Sequence, residues 1–362
     1  MKIEPMAAPT GLERGACPKF FELGLRRTLV FVALGLLCGT GMSAEPASPK
    51  SNAATRALLD YFHDLSGRSG GRRILSGQFS DFGNGANLRI MERIHEKTGH
   101  WPAMIGVDYA DFPRGSLTTK VPNQVAIDYW KQSGLVTVMA HMYNPANPKG
   151  GGLREKGVNL ADLLKEDTDT HKRWMQQLDL AADGLLELKR AGVVVLWRPF
   201  HEMNGGWFWW GAQDFDTFIK VWQHMFHYFS ETKGLDNLLW VYGPNHGQNT
   251  AKYYPGDRYA DIVGLDAYTD FIDPEHIRGY KEIAALPKPF GFTEYGPQGS
   301  QNAPGDYDYR RFLQGVEANF PKTCFFMSWN GKWSLATNQF TRELLAAPSI
   351  VNREDLPKAL FP

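Results

Sequence analysis

Residues 193–211 read Val-Val-Val-Leu-Trp-Arg-Pro-Phe-His-Glu-Met-Asn-Gly-Gly-Trp-Phe-Trp-Trp-Gly, and the reading of this run decides the fold. Its first five residues are apolar without alternation, as in a strand buried on both faces of a parallel sheet. The strand delivers Arg198, His201 and Glu202 at its end, and three Trp and a Phe follow before Gly211. Ionisable groups beside flat aromatic faces suit a site where a carboxyl group does acid/base work and rings stack on pyranose faces. In the alternative reading the aromatics fill a core and Glu202 is merely solvated. Arg, His and Glu seldom gather at a strand end for that reason alone.

Seven further apolar runs have the same character: Ile74–Phe79, Ala103–Tyr109, Val136–Met142, Leu238–Tyr242, Ile262–Tyr268, Phe290–Tyr295 and Cys324–Trp329. Amphipathic segments of helical period separate many of them, at Leu88–Lys97, Gln124–Gln132, His171–Arg190, Phe215–Thr232, Pro274–Leu286 and Asp306–Asn319. Eight strand–helix alternations in about 300 residues predict an α/β fold, a (β/α)8 TIM barrel in one domain. The fifth connection, Pro244 to Asp261, carries the weakest helical pattern. The third, from Asn144 to about Thr170 around Gly150-Gly151-Gly152, is long enough to be read as substrate-binding or lid material.

The first 44 residues read as a secretory signal rather than as part of the barrel. Arg26-Arg27 precede an apolar run from Leu29 to Leu37, and Met42-Ser43-Ala44 supplies small residues for cleavage. The apolar run is too short to span a membrane. A secreted or periplasmic protein is expected, with lipid anchoring at Cys38 as the lesser alternative. Residues 45–55, rich in Ser, Ala and Pro, read as a linker, and 56–362 as the catalytic domain. Beyond residue 44 remain 34 basic and 36 acidic residues, a net charge of −2. That balance gives no reason to expect nucleic acid or an anionic membrane as partner, and suits a neutral substrate. Cys324 alone remains of three cysteines, so no internal disulfide is expected.

In such a barrel the active site lies at the C-terminal ends of the strands. Those ends carry Asp108 and Asp111 (second), His141, Tyr143 and Asn144 (third), Arg198, His201 and Glu202 (fourth). They further carry Asp266 and Tyr268 (sixth), Glu294 and Tyr295 (seventh), and Trp329 and Asn330 (eighth). Glu202 and Glu294 form the natural pair. Two carboxyl groups about 5–5.5 Å apart are what a retaining glycosidase needs, one attacking the anomeric carbon and one protonating the leaving oxygen. The roles demand opposite charge states at rest, and each carboxylate raises its neighbour's pKa. Tyr268 is placed to hydrogen-bond the nucleophile. His141 and His201 are expected to bond sugar hydroxyls, though either could be a satisfied structural group. No paired His motif supports a catalytic metal, and neither metal nor cofactor is expected. Of the clustered Trp residues, Trp207 is assigned to substrate and Trp209 and Trp210 to the core. Trp329 is expected to floor the site under the sugar at the cleavage point.

Together these residues resemble glycoside hydrolase family 26, whose best-known members are β-mannanases. The resemblance rests on Arg-Pro-Phe-His-Glu-Met-Asn-Gly-Gly-Trp-Phe-Trp-Trp-Gly at 198–211, Gly-Leu-Asp-Ala-Tyr at 264–268 and Gly-Phe-Thr-Glu-Tyr-Gly at 291–296. Ser-Trp-Asn at 328–330 and Ala-His-Met-Tyr-Asn-Pro at 140–145 extend it. It implies a retaining double displacement with Glu202 as acid/base and Glu294 as nucleophile, and a cleft lined near the cleavage point by His141, Trp207, Tyr268 and Trp329; His201, Arg198 and Asp108 are further residues expected at the substrate. It implies a polysaccharide or oligosaccharide substrate, mannan first, acted on by a monomer. Mixed-linkage β-glucan, β-1,3-xylan and exo-action remain open within the family, since loops set substrate choice. A carbohydrate-binding barrel without activity is the alternative from another class.

Overall fold

The computed structural model describes residues 44–67, 73–112, 114–298 and 305–361. The expected export signal and Cys38 lie outside them. Eight strands follow in chain order: β1 (Gly77–Phe82), β2 (Met104–Asp108), β3 (Leu135–Met139), β4 (Val195–Arg198), β5 (Leu238–Tyr242), β6 (Ile262–Tyr268), β7 (Phe290–Gly296) and β8 (Thr323–Ser328). Each pairs in parallel with the next, and β8 returns to β1 through Ser328 and Gln78, which closes the barrel. These are the eight expected strands, with ends displaced by a few residues. Their side chains are almost all buried, as continuous apolar runs between a barrel interior and a helical shell must be.

Outside the barrel run α2 (Arg89–Thr98) and α3 (Lys120–Lys131), which have no side-chain cap, and two later helices that start where a side chain caps them. α4 (Asp169–Arg190) begins at Thr168, whose hydroxyl accepts from the His171 N–H at 3.0 Å. α5 (Phe215–His227) begins at Asp214, which accepts from the Thr217 N–H at 2.9 Å. Trp174, Leu178, Ala181, Leu185 and Leu188 form the buried stripe of α4, at the spacing of one helix face.

Three sequence expectations need correction. Residues 45–55 are no linker: Ala47 is buried, its N–H donates to Asp261 at 2.6 Å, and α1 (Ala53–Gly67) already starts within the stretch. This helix crosses the N-terminal mouth of the barrel. Asn52 and Thr55 bond the Asp236 carbonyl before β5, and Ser66 bonds the Lys322 carbonyl before β8. Its Leu58, Leu59, Phe62 and Leu65 are buried there. Composition misled because Ser, Ala and Pro describe a chain tied by backbone bonds as well as a free one. Secondly, no helix joins β5 to β6. Thirdly, Pro274–Leu286 yields only α6 (Tyr280–Ala284). Asp273 accepts from the N–H groups of Glu275 and His276 and closes a local turn, and Gly279 at φ 89° breaks the path before the helix. The long third connection holds a short 3-10 turn at Leu160–Leu164, capped by Asn159.

The Asp261 carboxylate also accepts from the Trp240 N–H at 2.7 Å. Replacement by Ala would leave two buried N–H donors unpaired, a loss of about 2–4 kcal/mol. Thermal unfolding of Asp261→Ala should show a Tm lower by several degrees, with turnover below the transition unchanged. An unaltered Tm would mean that the N-terminal segment contributes nothing to barrel stability.

Candidate active site

β4 ends at Arg198, and the following turn holds Phe200 and Glu202 in the left-handed region, at φ 50° and 55°. Side chains of this size rarely adopt it, so the turn stores strain that its surroundings must hold. Glu202 N–H donates to the Gly243 carbonyl at 2.8 Å. Trp210 and Trp209, both fully buried, fix the turn from behind: Trp210 Nε1 donates to the His201 carbonyl at 2.8 Å and Trp209 Nε1 to the Met142 carbonyl at 2.9 Å. The glutamate of β7 is aimed by a different device. Phe292 faces Leu265 and Glu294 faces Asp266, so Thr293 is an extra residue that bulges the strand.

These two devices bring the carboxylates together. One oxygen from each of Glu202, Asp266 and Glu294 lies within 4.8 Å of the others. All three groups are buried, as is the Arg198 guanidinium beneath them. Arg198 Nη1 donates to Asp266 Oδ2 at 2.8 Å and its Nη2 donates to Glu294 Oε1. Tyr268 Oη donates to the other Glu294 oxygen at 2.6 Å, and Trp207 Nε1 donates to Glu202 Oε2 at 2.6 Å. Burial opposes the charge of Arg198, but Asp266 and Glu294 beside it raise its pKa, so it stays a cation. Glu202 is pushed up to about 8, first by burial and then by Glu294, while the Trp207 N–H and Arg198 pull the other way. A carboxyl group that keeps its proton at neutral pH stands beside one that accepts from a guanidinium and a phenol.

The histidines are arranged as a chain. Asp108 is fully buried and accepts from the His141 backbone N–H at 3.1 Å and, through Oδ2, from His141 Nδ1 at 2.6 Å. His141 Nε2 therefore serves as acceptor for His201 Nε2 at 2.9 Å when both rings are neutral. Burial first, then His141 and Arg198, push His201 well below its ordinary pKa, in keeping with a neutral ring.

A cleft of about 440 Å³ opens over Glu202, Glu294, Tyr268, His141 and Trp329. Trp329 lies flat on Phe79, with centroids 3.9 Å apart and planes 4° apart, which fixes it as a floor. Another cavity, of about 470 Å³, lies in the third connection between Asn144 and Val158 and contains none of the paired carboxylates. The structure thus gathers Glu202, Glu294, Tyr268, His141, His201 and Trp329 at one cleft, with half-buried Trp207 bonded to Glu202. Arg198 and Asp108 were expected at the substrate and are not there. Both lie below the cleft: Arg198 bonds Glu294 and Asp266 and its charge bears on Glu202 and His201, and Asp108 bonds His141. His141 has both nitrogens engaged within the protein, so its expected bond to a sugar hydroxyl is already taken. Asp266, read as one strand-end group among many, proves to be the second partner of Arg198. Phe82, Phe112, Phe208, Leu153 and Arg154 also line the cleft and were not singled out. Phe112, Leu153 and Arg154 sit in loops where no period or motif marks them, whereas Phe82 ends β1 and Phe208 stands in the aromatic run after Glu202.

Comparison with known proteins agrees in extent. The family model described as Glycosyl hydrolase family 26 matches residues 47–355. A mannan endo-1,4-beta-mannosidase of Bacillus subtilis (strain 168) is 36% identical over 317 residues, covering 82% of this chain and 85% of that protein. The mannan endo-1,4-beta-mannosidase A and B of Caldalkalibacillus mannanilyticus is 35% identical over 329 residues, 86% of this chain, which spans 63% of that protein's length. The solved structure of a Bacillus subtilis mannanase superposes with a TM-score of 0.79 at 35% identity, covering 86% of this chain and 96% of the other.

Because the Trp207 N–H favours the charged form of Glu202, Trp207→Phe should raise the Glu202 pKa further above about 8. An NMR titration of the Glu202 carboxyl carbon would read this directly. A pKa that falls, or stays, would show that the indole does not bear on Glu202.

Proposed function

We propose, since this chain belongs to glycosyl hydrolase family 26, that it cleaves internal β-1,4-mannosidic bonds of mannan-type polysaccharides by a retaining double displacement. The observation that carries this reading is the unlike environment of two carboxyl groups a few ångströms apart. Glu294 accepts from Arg198 and Tyr268, and Glu202 holds a proton up to about pH 8. In the first step Glu294 attacks the anomeric carbon. The bond to the leaving oxygen breaks as Glu202 gives that oxygen its proton, and a glycosyl ester of Glu294 forms. The ester carries no charge, so the repulsion by Glu294, which adds to burial in raising the Glu202 pKa, is gone. Glu202, now an anion accepting from Trp207, is a suitable base for the second step. It takes a proton from water, whose oxygen displaces Glu294 and restores the original anomeric configuration. The 4.8 Å limit between the carboxylates supports retention, because inverting enzymes need room for a water between them.

Mannan as substrate is supported by the relatives whose names carry that activity. Among the described residues no helix is long and apolar enough to cross a membrane. The charged, apolar and small-residue order of the first 44 residues supports export to the periplasm or the medium, with the barrel as the single exported domain.

On mannan, Glu294→Ala and Glu202→Ala should each lower kcat about a thousandfold or more while leaving Tm within a few degrees. Glu202→Ala should form the glycosyl ester normally from a dinitrophenyl mannoside, whose leaving group needs no proton. The wild-type kcat/KM should fall as pH rises through about 8, since Glu202 loses its proton there. Near-normal turnover in either variant, or products of inverted configuration, would refute the mechanism. Activity confined to lichenan or β-1,3-xylan would refute the substrate.

A further inference from the structure

The chain enters the fold as a strap beneath the barrel, held by Arg56 of α1. The Arg56 Nε donates to the Ser51 carbonyl at 3.0 Å, Nη2 to the Pro49 carbonyl at 2.7 Å and Nη1 to Glu45 Oε2 at 3.2 Å. Pro46, Ala47 and Ser48 are buried, and the Ala47 N–H is bonded to Asp261. The strap is fixed back to Ala44. This residue is half-buried and packs against the core, and its backbone nitrogen donates to Asp60 Oδ1 at 2.8 Å. Asp60 belongs to α1 and is itself half-buried.

Export requires a cut near this point, and the residues before Glu45 allow two. A leader peptidase takes small residues at the first and third positions before the cut. A cut after Ala44 puts Ala44 and Met42 at those positions, whereas a cut after Ser43 puts Ser43 and Gly41 there. Only the second has small residues at both. The folded strap favours the same cut. Cleavage after Ala44 would discard the packing of that residue and its bond to Asp60, and cleavage after Ser43 keeps both.

Hydrolysis of the Ser43–Ala44 bond consumes one water, leaves a carboxylate on the leader and turns the Ala44 amide into an amine. A free α-amino group has a pKa of about 8, so it takes up a proton at neutral pH. The resulting ammonium has three donors and a full charge, where the amide had one donor and none. It is created at a nitrogen 2.8 Å from a carboxylate oxygen. Exposed ion pairs are weak chiefly because two long side chains must be ordered to form them. Here one partner is backbone, already fixed by Arg56 and Asp261.

We propose that the Ser43–Ala44 bond is the processing site, and that the ammonium released there pairs with Asp60. Removal of the leader then adds an ion pair that the precursor lacks. The proposal rests on the export reading given above and sets the cut one residue earlier than the 44-residue leader read from sequence.

To test it, the full chain is expressed in a bacterium with a general export pathway. The N-terminus of the exported protein is then determined by intact mass and terminal sequencing. Ala44 should be its first residue. Gly41→Trp should block the cut and Met42→Trp should leave it in place; a cut after Ala44 would show the reverse. The mature protein with a free amine should unfold about 1–3 °C above the same protein acetylated at its α-amino group, as for a single ion pair in a chain of this size. Asp60→Asn should erase that difference, which separates the pair from any general effect of either change. An exported protein that begins at Glu45 or elsewhere overturns the processing site. An acetylation effect that is absent, or that survives Asp60→Asn, overturns the pair. A chain kept in the cytoplasm with its leader uncut refutes the export reading, and the proposal falls with it.

Discussion

The catalytic end of this barrel depends on one buried cation. Arg198 has almost no contact with solvent, and a lone guanidinium in that position would be untenable. It is tolerated because β6 and β7 each present a carboxylate to it, Asp266 and Glu294. Three carboxyl groups share the space and only one cation balances them. Burial pushes the pKa of Asp266 up in spite of its bond to Arg198, and Glu202, which has no guanidinium bonded to it, is pushed up to about 8 by burial first and by Glu294 second. The acid is made by its buried place beside Glu294 rather than by any property of its own side chain. The same three oxygens could attract a metal ion, but two of the carboxylates already accept from Arg198.

Such an arrangement needs backbone that ordinary strands do not supply. The left-handed turn at Phe200 and Glu202 and the bulge at Thr293 both depart from regular geometry where they aim a carboxylate. The strain is held by what surrounds it. Trp209 and Trp210 have no exposed surface and spend their only polar atoms on carbonyls of the β3 and β4 loops. The aromatic run after Glu202 is therefore chiefly a brace for a strained turn, with Trp207 the member that touches the chemistry. Opposite the site, α1 closes the other mouth of the barrel, so the open end is the one lined with ionisable groups.

What could be read from the sequence follows from which signals are local. Each strand is a continuous apolar run, and its end is marked by the first ionisable residue, so Glu202, Glu294, His141 and Tyr268 were visible as strand-end groups. Depth was not visible. Nothing in the string distinguishes Asp108 and Arg198, which lie below the floor, from Glu202, which stands at it. That difference is set by side-chain length and by partners on other strands. Asp266 was passed over for the same reason, since its significance lies in Arg198, 68 positions earlier. The stretch 45–55 was misjudged because backbone bonds to Asp236 and Asp261 leave no trace in composition.

The division between motif and loop has a physical basis. The carboxylates, Arg198 and Tyr268 are fixed by a closed barrel in which each strand constrains its neighbours, and a shift at one would disturb the ion pairs of all. Phe112 and Arg154 stand on turns whose mutual contact is a backbone bond between two glycines. Neither side chain takes part in the buried ion pairs, although Arg154 is near enough to Glu202 to favour its ionised form. Bond cleavage is thus built into the rigid part of the molecule, and choice of chain into a part joined to it at few points. The glycine tie makes that second part firm enough to discriminate.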